Sequence, residues 1–263
     1  MKQLAFIAFV FAALCASSST AKAQAKPAPK PKTELHVASA ADMQPVFEVL
    51  APYFERKTGI HLVINYGASS VLSEQMISGA PADIFFSADY VFAERVVSSG
   101  MADSTDAIPY AKGTLVLWTR KDSRFNPLHL EVLERKDLKS VSIANPDHAP
   151  YGRAAVSALQ KMKFYENVAP HLVQGESVAQ AAQFAQTGNA ELALISETIA
   201  TSPKFKNSGS FVLFPTYVYP EIRQCAVVLR SSPQRDNAHK LLDYILSDEI
   251  QAHLASLGLH PIK

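Results

Sequence analysis

Strand-like and helix-like runs alternate along almost the whole chain, and that alternation leaves few folds open to it. LHVASA (35–40) precedes a helical run from about Met43 to Lys57, stopped by Thr58-Gly59. IHLVINY (60–66) precedes a helix of about Val71 to Ser78 that ends at Gly79, and IFFS (84–87) precedes Tyr90 to Ser99, stopped at Gly100. GTLVLWT (113–119) and VSIA (141–144) read as strands, and Ala154 to Lys163 as a helix. Ser177 can cap a helix from Val178 to Thr187, ended by Gly188-Asn189. LALIS (192–196), FVLFP (211–215) and CAVVLR (225–230) are later strands, and the tail carries helices at about Asn237–Leu246 and Asp248–Leu257. Such alternation predicts an α/β protein with parallel sheets and right-handed crossovers. In open sheets of that class the ligand crevice lies beyond the carboxyl ends of the strands, where the helices begin.

The N-terminus reads as an export signal. Lys2 supplies a positive n-region, Leu4 to Ala16 is a 13-residue apolar run, and Ala21-Lys22-Ala23 is an AxA-type cleavage site, so residues 1–23 are expected to be removed. A lipid anchor at Cys15 is not expected, because Leu14 is too large for the position before a lipidated cysteine. Residues 24–33, QAKPAPKPKT, read as an extended Pro/Lys tether. Removing the leader takes away Lys2 and Lys22 and no acid, which turns 25 basic against 24 acidic residues into a single net negative charge. That balance gives no footprint for nucleic acid or an anionic membrane. Only Cys225 remains, which excludes an intrachain disulfide; a bacterial periplasm fits. About 240 residues suffice for one large core or two lobes.

Four strand-to-helix turns carry the candidate chemistry. A helix start presents unpaired N–H groups and the positive end of a dipole, so it can hold a small anion without a cationic side chain. At the first turn, Ser39-Ala40-Ala41-Asp42, the Asp42 carboxylate reads either as an N-cap of its own helix or as an acceptor for a proton on a bound oxyanion, while the backbone donates to the anion. The second turn, Gly67-Ala68-Ser69-Ser70, offers two hydroxyls and close backbone approach; the serines can equally be simple caps. GASSV lacks the second glycine of G-x-S-x-G, and no histidine or acid is marked as a partner for a nucleophile. At the third turn, NPDHAPYGRAA (145–155), Pro150 pre-sets a helix start, and Tyr151 either donates its phenol or lines the cleft while its N–H binds. At the fourth, GESVAQAA (175–182), Val178 contributes only a backbone N–H, and Ser196 is a strand-end hydroxyl of lesser weight. None of the eight histidines forms an i,i+4 pair suited to a metal, and His148 reads as a surface or capping residue. Trp118, Phe85 and Phe86 read as core, and the charge runs 120–122 and 134–137 as solvated surface.

Taken in order over about residues 35 to 260, these segments resemble the molybdate-binding periplasmic proteins of ABC uptake systems. The resemblance rests on YGASSVLSEQMISGAPADIFFSAD (66–89), GTLVLWTRK, IANPDHAPYGRAA and GESVAQAAQFAQTGNAELALIS. It implies a two-lobed periplasmic binding protein fold, each lobe a mostly parallel sheet flanked by helices and hinged by crossover strands. Lobe 1 would comprise residues 34–112 plus 218–263, and lobe 2 residues 113–217. It also implies oxyanion contacts from Ala41, Asp42, Ser69, Tyr151 and Val178, with Ser70 and Ser196 secondary and no direct metal-ion ligand. Members of the family often carry Ser or Asn where this chain has Asp42. Some use a donor tyrosine where Ser196 stands; others use one at the Tyr151 position, as here.

The expected function is capture of molybdate, with tungstate next, for delivery to an ABC permease, by a monomer with no cofactor and no enzymatic activity. Its rivals are the same scaffold serving phosphate or sulfate, phosphate above all if Asp42 accepts a proton; a hydrolase built on Ser69 or Ser70; and an exported adhesion or scaffold protein.

Overall fold

A computed structural model describes residues 33–262; the signal peptide, Cys15 and nearly all of the tether lie outside the described residues. In chain order the elements are β1 (Thr33–Ala40), a 3-10 turn (Ala41–Met43), α1 (Gln44–Thr58), β2 (Ile60–Gly67), α2 (Ser69–Ile77), β3 (Ile84–Ser87) and α3 (Tyr90–Ser98). Then come β4 (Ile108–Gly113), β5 (Leu115–Arg120), β6 (Val141–Ala144), α4 (Pro150–Lys161), α5 (Tyr165–Val168), β7 (Leu172–Gly175), α6 (Val178–Thr187) and β8 (Leu192–Ser196). The chain closes with α7 (Glu197–Thr201), α8 (Pro203–Ser208), β9 (Gly209–Leu213), β10 (Ile222–Val228), α9 (Arg235–Leu246), α10 (Asp248–His253) and β11 (Leu259–His260).

The strands form two sheets, six-stranded in the order β11-β4-β10-β3-β1-β2 and five-stranded in the order β7-β6-β8-β5-β9. Parallel pairing holds in the strand–helix–strand units: β1 with β2 and β3, and β6 with β7 and β8. The remaining pairs are antiparallel, β10 with β3 and β4, β11 with β4, and β5 with β8 and β9, so the sheets are mixed rather than mostly parallel. The reason lies in the connections. β4 runs through Thr114 directly into β5 of the other sheet, and the chain returns from β9 to β10 through residues 214–221. Strands that enter a sheet this way arrive against the direction of those joined by helical crossovers.

Register places the site. Ala40 lies opposite Gly67 across β1 and β2, and Ser39 opposite Phe86 of β3, so three strands of one sheet end at the same level. In the other sheet Ala144 lies opposite Gly175. Each of those ends feeds one of the turns singled out above.

Apolar spacing explains the helices. α1 buries Val46, Phe47, Leu50 and Phe54 on one face, each worth about 1.5–3 kcal/mol. It stops at Gly59 in the left-handed region (φ 74°), closing on the Glu55 carbonyl. Trp118, Phe85 and Phe86 are fully buried, as expected. The charged run 134–137 is on the surface, with Arg135 paired to Asp137 at 2.8 Å. α4 begins four residues earlier than the apolar periodicity predicts, because Pro150 already occupies its first turn.

Candidate functional site

The four turns converge on one small, partly open cavity of about 10 Å³, lined by Ala40, Ala41, Asp42, Ser69, Tyr151 and Val178 together with other small residues. That volume is room for about one water-sized sphere. Small side chains at Gly67, Ala68, Ala88 and Ala149 let the backbone approach the space closely.

α2, α4 and α6 begin at this cavity, and first-turn N–H groups have no carbonyl one turn back to bond. Ser69 is the first residue of α2, which has Ala68 at its N-cap, so the serine is inside the helix rather than capping it. Its Oγ accepts the Ala88 N–H at 3.0 Å, which leaves its own O–H to donate elsewhere. Val178 opens α6, whose cap is Ser177: Ser177 Oγ accepts from Gln180 N at 3.3 Å, and Gln180 Oε1 accepts from Glu176 N at 2.6 Å. This reciprocal arrangement fixes the start of α6 and with it the Val178 N–H.

Tyr151 is buried, and its hydroxyl makes no well-formed hydrogen bond, only a weak interaction with the Asp42 carboxylate. The phenol lies against Gly113, where an added Cβ would overlap it. Burial, followed by the charge of Asp42, pushes its ionisation well above the ordinary range, so the group stays a donor.

Asp42 departs from the N-cap expectation. It occupies the middle of the 3-10 turn, α1 starts two residues later, and no side chain caps either element. Its carboxylate is taken instead by the Gln224 amide, and its carbonyl accepts from Thr198 Oγ1 at 2.7 Å. Complete burial raises the Asp42 pKa to about 6, opposed by the Gln224 hydrogen bond. Gln224 was not legible as a site residue, although a polar residue in the apolar strand IRQCAVV is the signal that could have found it.

Two further residues named from the sequence are not among the cavity's lining. Ser70 donates its N–H to the His148 carbonyl at 3.1 Å. Ser196 lies outside the cavity lining; it caps α7 at Ile199 N (3.4 Å) and bonds Thr198 Oγ1 at 2.8 Å, which supports the Asp42 turn from behind. The Ser70–His148 bond joins an element of the six-stranded sheet to a loop of the five-stranded one. So does the ion pair between Arg153 of α4 and Asp89 at the start of α3. Among the described residues no group of His, Cys, Asp and Glu could hold a metal ion, and no helix is long and apolar enough to cross a membrane.

The family model described as bacterial extracellular solute-binding protein matches residues 35–260. The chain belongs to that family. Curated relatives of this solute-binding protein include the molybdate-binding protein ModA of Azotobacter vinelandii, 35% identical over 212 residues and covering 81% of this chain and 84% of the relative. ModA of Rhodobacter capsulatus is 33% identical over 216 residues, covering 82% and 84%. Among solved structures, the Azotobacter vinelandii periplasmic molybdate-binding protein aligns with a TM-score of 0.79 at 28% identity, over 87% of this chain and all of that one. The sulfate-binding protein SubI of Mycobacterium tuberculosis, 18% identical with a TM-score of 0.72 over 88% of each chain, shares the fold.

Proposed function

We propose that this solute-binding protein captures molybdate, with tungstate as its nearest substitute, in the periplasm and hands it as a monomer to an ABC permease. The observation that carries this reading is the convergence of three helix N-termini, with Ser69 and Tyr151, on one small cavity. Relatives named for molybdate binding support the choice of anion. A dianion that carries no proton needs donors, and each charge-assisted hydrogen bond contributes about 1.5–3 kcal/mol before ordering costs. Ala41, Asp42, Tyr151 and Val178 serve through their backbone, and Ser69 and Tyr151 also through their hydroxyls. Sulfate has the same charge and shape but is smaller, so discrimination has to come from how closely the walls settle around the anion.

An anion larger than water enters only if the walls part. The division of strands between two sheets supports lobes of residues 34–112 plus 218–263 and 113–217, moving about the two crossovers. The Ser70–His148 and Asp89–Arg153 contacts then hold the cleft shut.

Isothermal titration of residues 24–263 with molybdate, tungstate, sulfate and phosphate tests the reading. One-to-one binding of the first two with the others silent is expected; preference for phosphate or silence toward all four overturns it. Ser69→Ala removes a donor and leaves the Ala88 N–H unpaired, so molybdate affinity falls by about 1.5 kcal/mol, roughly tenfold. Arg153→Met releases Asp89, which keeps the Phe92 N–H at 3.0 Å. Because Arg153 is partly exposed, the pair is screened and the loss is about 1 kcal/mol, seen in stopped-flow as several-fold faster release with little change in association.

A further inference from the structure

We propose that Asp42 enters the anion complex protonated, so that capture of the dianion takes up one proton from solvent. The inference rests on the oxyanion reading above and deepens it. Asp42 lines the cavity and is completely buried, yet only one of its carboxyl oxygens is occupied: Oδ2 accepts from Gln224, while Oδ1 has no partner. The Tyr110 hydroxyl donates to Gln224 Oε1 at 2.6 Å, which turns the amide nitrogen toward Asp42 and leaves Oδ1 as the place for a proton. The Tyr151 hydroxyl beside it is likewise buried, and it makes no well-formed hydrogen bond, only a weak interaction with the Asp42 carboxyl itself. Two buried polar atoms that lack a well-formed bond, on two residues lining one cavity, mark where a ligand oxygen belongs.

No cation offsets a charge here. The groups facing Asp42 are Tyr151 from α4, Tyr110 from β4, Gln224 from β10 and Thr198 from α7. α6 carries no ionisable residue, Glu197 of α7 turns to His260 at 3.9 Å, and Glu48 of α1 bonds Gln44 at 3.1 Å on the surface. An ionised carboxylate and a dianion would therefore face each other with no counter-charge beside them. A protonated Asp42 removes that repulsion and adds a donor: the proton leaves solvent, bonds Oδ1, and points at an anion oxygen.

The sign of the pH effect follows. Without anion, burial holds the Asp42 carboxyl near 6, and a neighbouring dianion holds it higher still. Below about pH 6 the acid already carries its proton and affinity is flat; above it, affinity falls by about tenfold per pH unit.

The test is calorimetric titration of low-micromolar molybdate into the mature protein in two buffers of different ionisation heat. Uptake of about one proton per anion is expected near pH 7.5, and of almost none near pH 5. Asp42→Asn is expected to bind with no uptake at either pH and with a flat affinity profile. Tyr151→Phe is expected to bind more weakly but to keep the uptake, which separates the carboxyl from the phenol. Molybdate binding by the parent protein without proton uptake, or uptake that survives in Asp42→Asn, overturns the proposal and leaves the oxyanion reading standing. No molybdate binding at any pH overturns both. Should Asp42→Asn not fold, the uptake measured on the parent protein and on Tyr151→Phe decides the matter.

Discussion

Alanine at Gly152 costs about 3 kcal/mol of stability, at the upper end of overpacking costs, and removes anion binding with it. An added Cβ there overlaps the Ala144 carbonyl and lies 2.8 Å from both the Asn145 carbonyl carbon and the Pro146 nitrogen. All three are backbone atoms, so no side chain can swing away. The strain falls on the end of β6 and the first turn of α4, which together hold the Tyr151 N–H in place. For a chain of this size the melting temperature drops by about 6–12 °C. Calorimetric melting checks this, and an unchanged transition would contradict the packing.

Gly113→Ala has the opposite signature: the fold survives and the site fails. Its Cβ would overlap the Tyr151 hydroxyl and sit 3.1 Å from Ile222 Cγ2, both ends of side chains. The phenol gives way, and the anion loses a donor worth about 1.5–3 kcal/mol, or roughly tenfold to 150-fold in affinity. Tyr151→Phe costs the same donor without a clash. Because Phe removes the hydroxyl that the new methyl overlaps and leaves only the ring carbon at 3.1 Å, the double variant binds little worse than Tyr151→Phe alone. Additive losses in titration calorimetry would show that Gly113 acts by another route.

Much of this was legible in residue order, for a physical reason. Strand-to-helix turns announce themselves through short-range chemistry: a glycine or proline at the break, a small residue for close approach, a cap such as Ser177 with Gln180 three positions on. Ala41, Ser69, Tyr151 and Val178 each lie at such a break, and register brings their turns together. What stayed hidden depends on contacts between distant segments. Gln224 reaches Asp42 across 182 positions, and once that bond forms the carboxylate is unavailable as a cap. The antiparallel pairing of β5 and β10 was hidden likewise, since it follows from how the chain crosses between sheets. That Ser196 caps the five-residue α7 was hidden too, because a strand-end hydroxyl and a helix cap are alike in sequence.

None of the residues that bridge the two sheets lines the cavity, although Ser70, Asp89 and His148 each adjoin a lining residue in the chain, and this separates two properties that could have been tied together. The Arg153–Asp89 pair and the Ser70–His148 bond act alike whatever tetrahedral ion is inside. Changes at Arg153 therefore lengthen or shorten the residence time of every oxyanion by the same factor and leave their ratios untouched. Uptake rate can drift to suit the supply of anion without loss of discrimination. The Ser70–His148 half of the bridge, made by backbone alone, sets a floor below which substitution at those two positions does not easily take it.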